Sequence, residues 1–223
     1  MLAFEPISIP IEAAAPVSGL LGVPPKPIAC FVFAHGAGAG MAHSFMTEMA
    51  ERLAERRIAT LRFQFPSMER GSKRPDPPRV AHAAVRGALL EAARRLPGVA
   101  LFAGGKSFGA RMSSQAQAEG LLEGARGLVF VGFPLHPAGK PAIDRAAHLK
   151  DVSCEMLFLQ GTRDELAELD LITAVAGELG SRATLRVFDD ADHSFHVRVR
   201  SGRTDAQVHA ELADAIEGWI ADR

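Results

Sequence analysis

The sequence is poor in cysteine and has almost no net charge. Among 223 residues there are two cysteines, and 25 Lys and Arg against 26 Asp and Glu leave a formal net charge of -1. A balance this even exerts no global pull on nucleic acid or on an anionic membrane surface, so neither is expected as a partner and a small, roughly neutral molecule is. Two cysteines make no disulfide framework. Cys30 lies inside an apolar run and Cys154 just ahead of another, where lone cysteines serve as small hydrophobes, and a reducing cytoplasm suits them. No run of about 18 apolar residues is present to span a bilayer. The opening "MLAFEPISIPIE" has neither a basic n-region nor a long apolar stretch, and it carries two early prolines. The expectation is a soluble, unexported chain. Internal repeats and low-complexity tracts are also missing, and no signal for an oligomeric state stands out. With 48% hydrophobic and 23% charged residues, the chain is long enough to bury a sizeable core in a single domain over residues 1–223.

What is present is an alternation. From Ile28 onward, short β-type apolar runs exchange with amphipathic helical stretches, the pattern of a mostly parallel sheet covered by helices on both faces. The strands expected are "IACFVFAHG", "IATLRFQF", "VALFAG", "GLVFVGF", "EMLFLQG" and "TLRVFD". The helices expected are Ser44 to Arg57, Arg79 to Leu96, Phe108 to Glu119, about Leu166 to Leu179, and about Thr204 to Ala221. Pro66 to Pro78 reads as a loop rich in proline and charge. Residues 1–27 read as one or two antiparallel edge strands, since "FEPISIPIE" alternates and proline is tolerated at an edge. Ligands of open α/β sheets bind beyond the carboxyl ends of the strands. Four loops there carry unusual residues: "HGAGAG" from His35, "GKSFG" from Gly105, "GTRDE" from Gly161 and "DDADHSFH" from Asp189.

The stretch "VALFAGGKSFGARMS" offers two readings. Gly105-Lys106-Ser107 resembles the end of a phosphate-cradling P-loop, but that motif needs glycine at position 100, where Ala100 stands, and a loop where Val99 to Ala103 form an apolar strand. The apolar strand "GLVFVGF" ends without the aspartate that would hold the magnesium, so the phosphate reading falls away. The other reading is the G-x-S-x-G nucleophile elbow, in which a strand enters a sharp turn that lifts serine onto a strained backbone between two small residues. Gly105 and Gly109 are those residues. Alone the motif is weak, since a chain of this size shows it by chance about 0.1 times.

Its neighbours add weight. A serine hydroxyl becomes a useful nucleophile when a histidine takes its proton and a carboxylate fixes that histidine's tautomer. The order serine, acid, histidine, each after a later strand, is met by Ser107, Asp164 and His193. His196 competes with His193, and Glu165 and Asp170 compete with Asp164 from within the expected helix. A tetrahedral intermediate also needs two backbone donors. The candidates are the N–H groups of Phe108 and Ala37, with glycine at Gly36 and Gly38 letting the loop approach the substrate and His35 orienting it.

These residues resemble a small α/β-hydrolase, similar to dienelactone-hydrolase-like proteins. More narrowly they resemble the group named after a testis-expressed protein and a regulatory subunit of the NSL histone acetyltransferase complex. The resemblance rests on "FAHGAGAGMAHSFM", "LRFQFPSMERGSKRPDPP", "GGKSFGARMSS", "GFPLHPAGKP", "LQGTRDEL" and "DADHSF", spread from Cys30 to His196. It implies the α/β-hydrolase fold and its catalytic machinery but no particular substrate. Dienelactone hydrolases use cysteine as nucleophile; Ser107 stands here, and that chemistry is not carried over.

The segment "FPLHPAGKP" is too short for a separate cap domain, so the site is expected to be open, with Phe133, Leu135 and His136 as candidate lining residues. Arg70, Lys73, Arg74 and Arg79 lie in a loop expected to rim it. The residues together point to a serine hydrolase acting on a small-molecule acyl substrate, a carboxylic ester or thioester, with no metal or organic cofactor. Two alternatives stand beside it: amide or peptide cleavage by the same triad, and a non-catalytic binding or scaffold module on the same fold.

Overall fold

The computed structural model describes residues 2–12, 14–72 and 74–223. Eight strands, β1 (Phe4–Ile11), β2 (Ala14–Gly22), β3 (Ala29–Ala34), β4 (Ile58–Phe63), β5 (Ala100–Lys106), β6 (Ala125–Val131), β7 (Glu155–Gly161) and β8 (Ala183–Phe188), form one sheet in the order β1-β2-β4-β3-β5-β6-β7-β8. The pairs β1/β2 and β2/β4 are antiparallel and all others parallel. The first two strands are thus the antiparallel edge that the alternation in "FEPISIPIE" suggests, and Pro6 and Pro10 fall on the outermost strand, where a missing N–H matters least.

Among the described residues the α-helices are α1 (Ser44–Glu55), α2 (Pro66–Glu69), α3 (Pro78–Arg95), α4 (Phe108–Ala118), α5 (Leu169–Leu179) and α6 (Asp205–Ala221). The central strands are buried on both faces, so their apolar runs are unbroken, and the two-residue period sorts the side chains between two cores. Phe31, Phe33, Val129, Val131, Leu157 and Leu159 face α1 and α6. Cys30, Val32, Ala34, Leu128, Phe130 and Phe158 face the opposite core, built with α3, α4 and α5. Both cysteines are free, and burial pushes their thiols up, to about 12 for Cys30 and about 11 for Cys154.

Three boundaries differ from the sequence reading. The loop after β4 opens with a single helical turn, α2, because Pro66 at its first position is already set for helical φ. Helix α5 begins at Leu169 rather than Leu166, since the Leu166 carbonyl accepts the N–H groups of Leu135 and His136 and its own N–H goes to Asp164. The segment Asp144–Asp151 forms a 3-10 helix where no element was expected. Residues 132–143 carry neither helix nor strand, and among the described residues no cap domain covers the sheet. Helix α6 starts in a reciprocal capping box between Thr204 and Gln207.

The 3-10 helix is tied to α4 by a polar contact, with His148 Nε2 lying 2.7 Å from Ser114 Oγ. Burial, reinforced by the Arg111 cation, pushes the imidazole down from its ordinary 6.5 to about 4. Between these values the unfolded chain binds a proton that the native chain refuses, so stability is present above pH 6.5 and is lost as pH falls toward 4. Replacing His148 with Gln keeps a polar partner for Ser114 and removes the titration. Thermal melts across this interval should show a flatter pH dependence in the variant than in the native protein.

Candidate active site

Strand β5 enters a turn in which Ser107 takes φ 52° and ψ -109°, and α4 begins at the next residue. A non-glycine residue holds such a conformation only where its surroundings over-determine it. Here the surroundings are β3. A Cβ on Gly105 would lie 2.3 Å from the Ala34 carbonyl oxygen, and one on Gly109 would lie 2.4 Å from the same atom. The elbow glycines therefore let strand and helix close on one carbonyl of the neighbouring strand, leaving Ser107 at the apex.

His193 and Asp164 reach this apex from two other loops. The Ser107 hydroxyl donates to His193 Nε2 at 2.9 Å, and His193 Nδ1 donates to Asp164 Oδ2 at 2.7 Å. Asp164 has a fully buried side chain, while that of His193 is 23% exposed. The carboxylate is further satisfied by the Leu166 N–H at 2.8 Å on Oδ1 and by the side-chain amide of Gln160 on Oδ2. Gln160 is completely buried and its carbonyl oxygen accepts the Phe133 N–H at 3.1 Å. This residue escaped the sequence reading, although a lone polar residue near the end of the apolar run "EMLFLQG" was the available signal.

The loop carrying His193 is a tight turn. The carboxylate of Asp192 accepts the N–H groups of Ser194 and His196, the Asp192 N–H donates to the His196 carbonyl, and Ala191 and Val197 form a bridge at its base. Phe195, buried against Phe188, anchors it. His196 points away and pairs with Asp205 at 2.9 Å, and Glu165 and Asp170 are exposed. Of the competing candidates, the geometry brings together only Ser107, His193 and Asp164.

On the other side of Ser107 lies the "HGAGAG" loop. The Phe65 N–H donates to His35 Nε2 at 3.1 Å, so Nδ1 carries the proton and donates to the Gly36 carbonyl at 2.7 Å. Burial lowers the His35 pKa, which keeps this bridging form neutral. His35 is 1% exposed and orients the loop from beneath. Gly38 takes φ 69° within the turn closed by the Ala39 N–H and the Gly36 carbonyl. The N–H groups of Ala37 and Phe108 donate to no acceptor among the described residues, and Phe108 is the first residue of α4, where the helix leaves its donors unpaired and its dipole favours negative charge.

The cleft above these groups has a volume of about 310 Å³; Gly36, Ala37, Ser107 and His193 lie at its base, with apolar walls from Phe45, Met46 and Leu166. Lys106, His43 and Ser194 also contribute. Five expected site residues are absent from its wall. Phe133 is fully buried among Phe130 and Phe158, Leu135 is fully buried, His136 is buried with Nδ1 3.0 Å from the Pro137 carbonyl, His35 is buried beneath the loop, and Gly38 is exposed on the loop outside the cleft wall. Phe133 to His136 turn inward, where the Phe133 N–H donates to Gln160 and the Leu135 and His136 N–H groups donate to the Leu166 carbonyl, while Pro137 to Pro141 are exposed. Arg70 is drawn to the buried Asp76, Arg74 and Arg79 are exposed elsewhere, and Lys73 lies outside the described residues. A larger hollow of about 670 Å³, lined by Leu2, Pro24, Pro25, Glu51, Ala54 and Glu55, holds no nucleophile. Among the described residues no cluster of three or more His, Cys, Asp or Glu is arranged to hold a metal, and no helix is long and apolar enough to cross a membrane.

A mostly parallel sheet with Ser107 after β5, Asp164 after β7 and His193 after β8 has the architecture of an α/β-hydrolase. The chain belongs to the alpha/beta hydrolase domain family, whose model matches residues 27–221. It is similar to a solved structure from Xanthomonas campestris described as an α/β serine hydrolase without lid, at 22% identity and TM-score 0.75 over 97% of this chain and 95% of that one. An α/β serine hydrolase homologue from Coxiella burnetii gives 20% identity and TM-score 0.77 over 96% and 98% of the two chains. A dienelactone hydrolase from Anabaena variabilis gives 18% and 0.78 over 99% and 98%. At these identities the likeness is one of fold.

Two substitutions probe how the site is held. Gly105→Ala should destabilise the protein by about 1–3 kcal/mol, because the Ala34 carbonyl has no room to yield to a methyl group; a thermal melt matching the native one would refute the close-approach argument. Gln160→Leu strips a donor from Asp164 and leaves the Phe133 N–H unpaired, and should cost about 1–3 kcal/mol in denaturant unfolding.

Proposed function

We propose that the protein is a serine hydrolase that cleaves a small carboxylic ester or thioester through an acyl-enzyme on Ser107. The observation that carries this reading is the continuous relay from Ser107 Oγ to His193 Nε2 at 2.9 Å and from His193 Nδ1 to Asp164 Oδ2 at 2.7 Å. In the first step His193 takes the hydroxyl proton as Oγ attacks the acyl carbon, and Asp164 stabilises the imidazolium that forms. The negative oxygen of the tetrahedral intermediate accepts from the N–H groups of Ala37 and Phe108. His193 then gives its proton to the leaving alcohol or thiol, and water, activated by the same imidazole, releases the acid.

The cleft supports a small acyl group. Its volume is about 310 Å³, at the lower end of ligand pockets, and its walls beside Ser107 are the apolar Phe45, Met46 and Leu166. The narrower resemblance to the NSL-subunit group underlies the alternative of a binding or scaffold module.

Intact-mass measurement after exposure to a fluorophosphonate separates the two. The native chain should gain one adduct, lost in Ser107→Ala and His193→Ala, and Ser107→Ala should lower ester turnover at least about a thousandfold with the melting temperature little changed. No adduct under conditions that label a control hydrolase would favour the binding module.

A further inference from the structure

The relay leaves one charged side chain at its centre unexplained. Lys106 directly precedes the nucleophile, yet its side chain crosses to the opposite loop, where the ammonium donates to the main-chain carbonyl of His193. Nζ also stands 5.3 Å from the centroid of the Phe195 ring, over the residue that anchors that loop. The third wall is Gly132, just beyond β6. A Cβ there would lie 3.0 Å from Lys106 Nζ and 3.4 Å from both Cε1 and Nδ1 of His193, so the ammonium and the imidazole flank the same position and any side chain would displace them. Three separate strand ends thus meet around one cation.

We infer that Lys106 is a positioning residue for His193: its ammonium latches the histidine loop at the height where Nε2 meets Ser107 Oγ, and its charge opposes formation of the imidazolium. The inference rests on the catalytic reading above.

The surroundings fit a latch better than a solvated lysine. Among the described residues the ammonium makes a hydrogen bond to a carbonyl and no ion pair with a carboxylate. Burial pushes Lys106 down to about 8, with the carboxylates of Asp164 and Asp192 opposing that shift from a distance. The group therefore remains charged at neutral pH. The charged and titratable groups facing it are Asp164 after β7 and Asp192 and His193 after β8. Asp164 and Lys106 bring charges of opposite sign to His193, the one at its ring and the other at its main-chain carbonyl.

A neutral alkyl fluorophosphonate has no anionic group for the ammonium to pair with, so its labelling rate reads the nucleophile and not substrate binding. We would measure that rate by intact mass from about pH 5 to 9 for the native protein, Lys106→Met and Lys106→Gln, with melting temperatures alongside. Met keeps the packing of the stem, and Gln, which is polar and uncharged, serves if Met impairs folding. At neutral pH both variants should label roughly tenfold or more slowly, the scale expected when a group orienting a reactive residue is lost. The midpoint of the acid limb should also move to higher pH, because the imidazolium has lost an opposing cation. Slower labelling with an unmoved midpoint would reduce Lys106 to a packing residue and overturn the inference, as would an unchanged rate. If the native chain itself is not labelled, the catalytic reading falls and this inference with it; a labelled native chain with unaffected variants overturns Lys106 alone.

Discussion

The site depends on how closely β5 and α4 can approach the Ala34 carbonyl. Ser107 is strained by its positive φ, and a strained residue persists only if neighbouring packing removes its alternatives. Gly105 and Gly109 supply that packing from either side of the turn, each meeting the same oxygen at a separation no Cβ would allow. The consequence reaches beyond the nucleophile. Because α4 starts immediately after Ser107, its first N–H and its dipole end up beside the "HGAGAG" loop, which leaves β3 directly after Ala34. One close contact between neighbouring strands therefore sets Ser107 and both candidate oxyanion donors in a common frame.

Asp164 and His193 are held by a different device, a gradient of burial. Asp164 would be costly to bury as an isolated charge, and three donors from Gln160, Leu166 and His193 offset that cost. Those donors also fix the carboxylate so that one oxygen faces the imidazole. His193 sits further out, on a turn stabilised by its own Asp192 and pinned by Phe195, and Ser107 faces the cleft. Under the proposed chemistry a proton passes between the half-buried Ser107 and His193 while the carboxylate that steadies it remains out of water. In a low-dielectric setting such a fixed charge acts more strongly than a solvated one.

Much of this was legible in the sequence, and the reasons are local. The elbow could be read because backbone strain and close approach demand glycine at 105 and 109 in any context. The order of Ser107, Asp164 and His193 could be read because the alternation of elements places each after a strand. The wall of the cleft was not legible. Phe133 and His136 were expected in it from their place in a loop after β6, but that loop is pulled into the core, where the Phe133 N–H is taken up by Gln160 and the His136 N–H by the Leu166 carbonyl. Phe45 and Met46, which do line it, lie on the first turn of an ordinary amphipathic helix, and nothing in their spacing distinguishes a cleft-facing residue from a core one. Gln160 was missed because the partner that explains it is four residues away across a strand end, a relation that only the folded backbone creates.

An uncovered cleft shapes what such a relay can do under the proposed chemistry. Residues 132–143 form no helix or strand and none of them lines the cleft, so under that chemistry no structured part of this segment would have to move for water to meet the acyl group. The same openness weakens discrimination, because an apolar wall made of Phe45, Met46 and Leu166 distinguishes acyl groups by only about 1–3 kcal/mol per methylene. Selectivity must then come from geometry at the reacting centre rather than from enclosure. That places a premium on how rigidly His193 is held relative to Ser107, since in an open site nothing else compensates for a base that drifts. The convergence of three strand ends on the loop bearing His193 is the structural answer to that requirement.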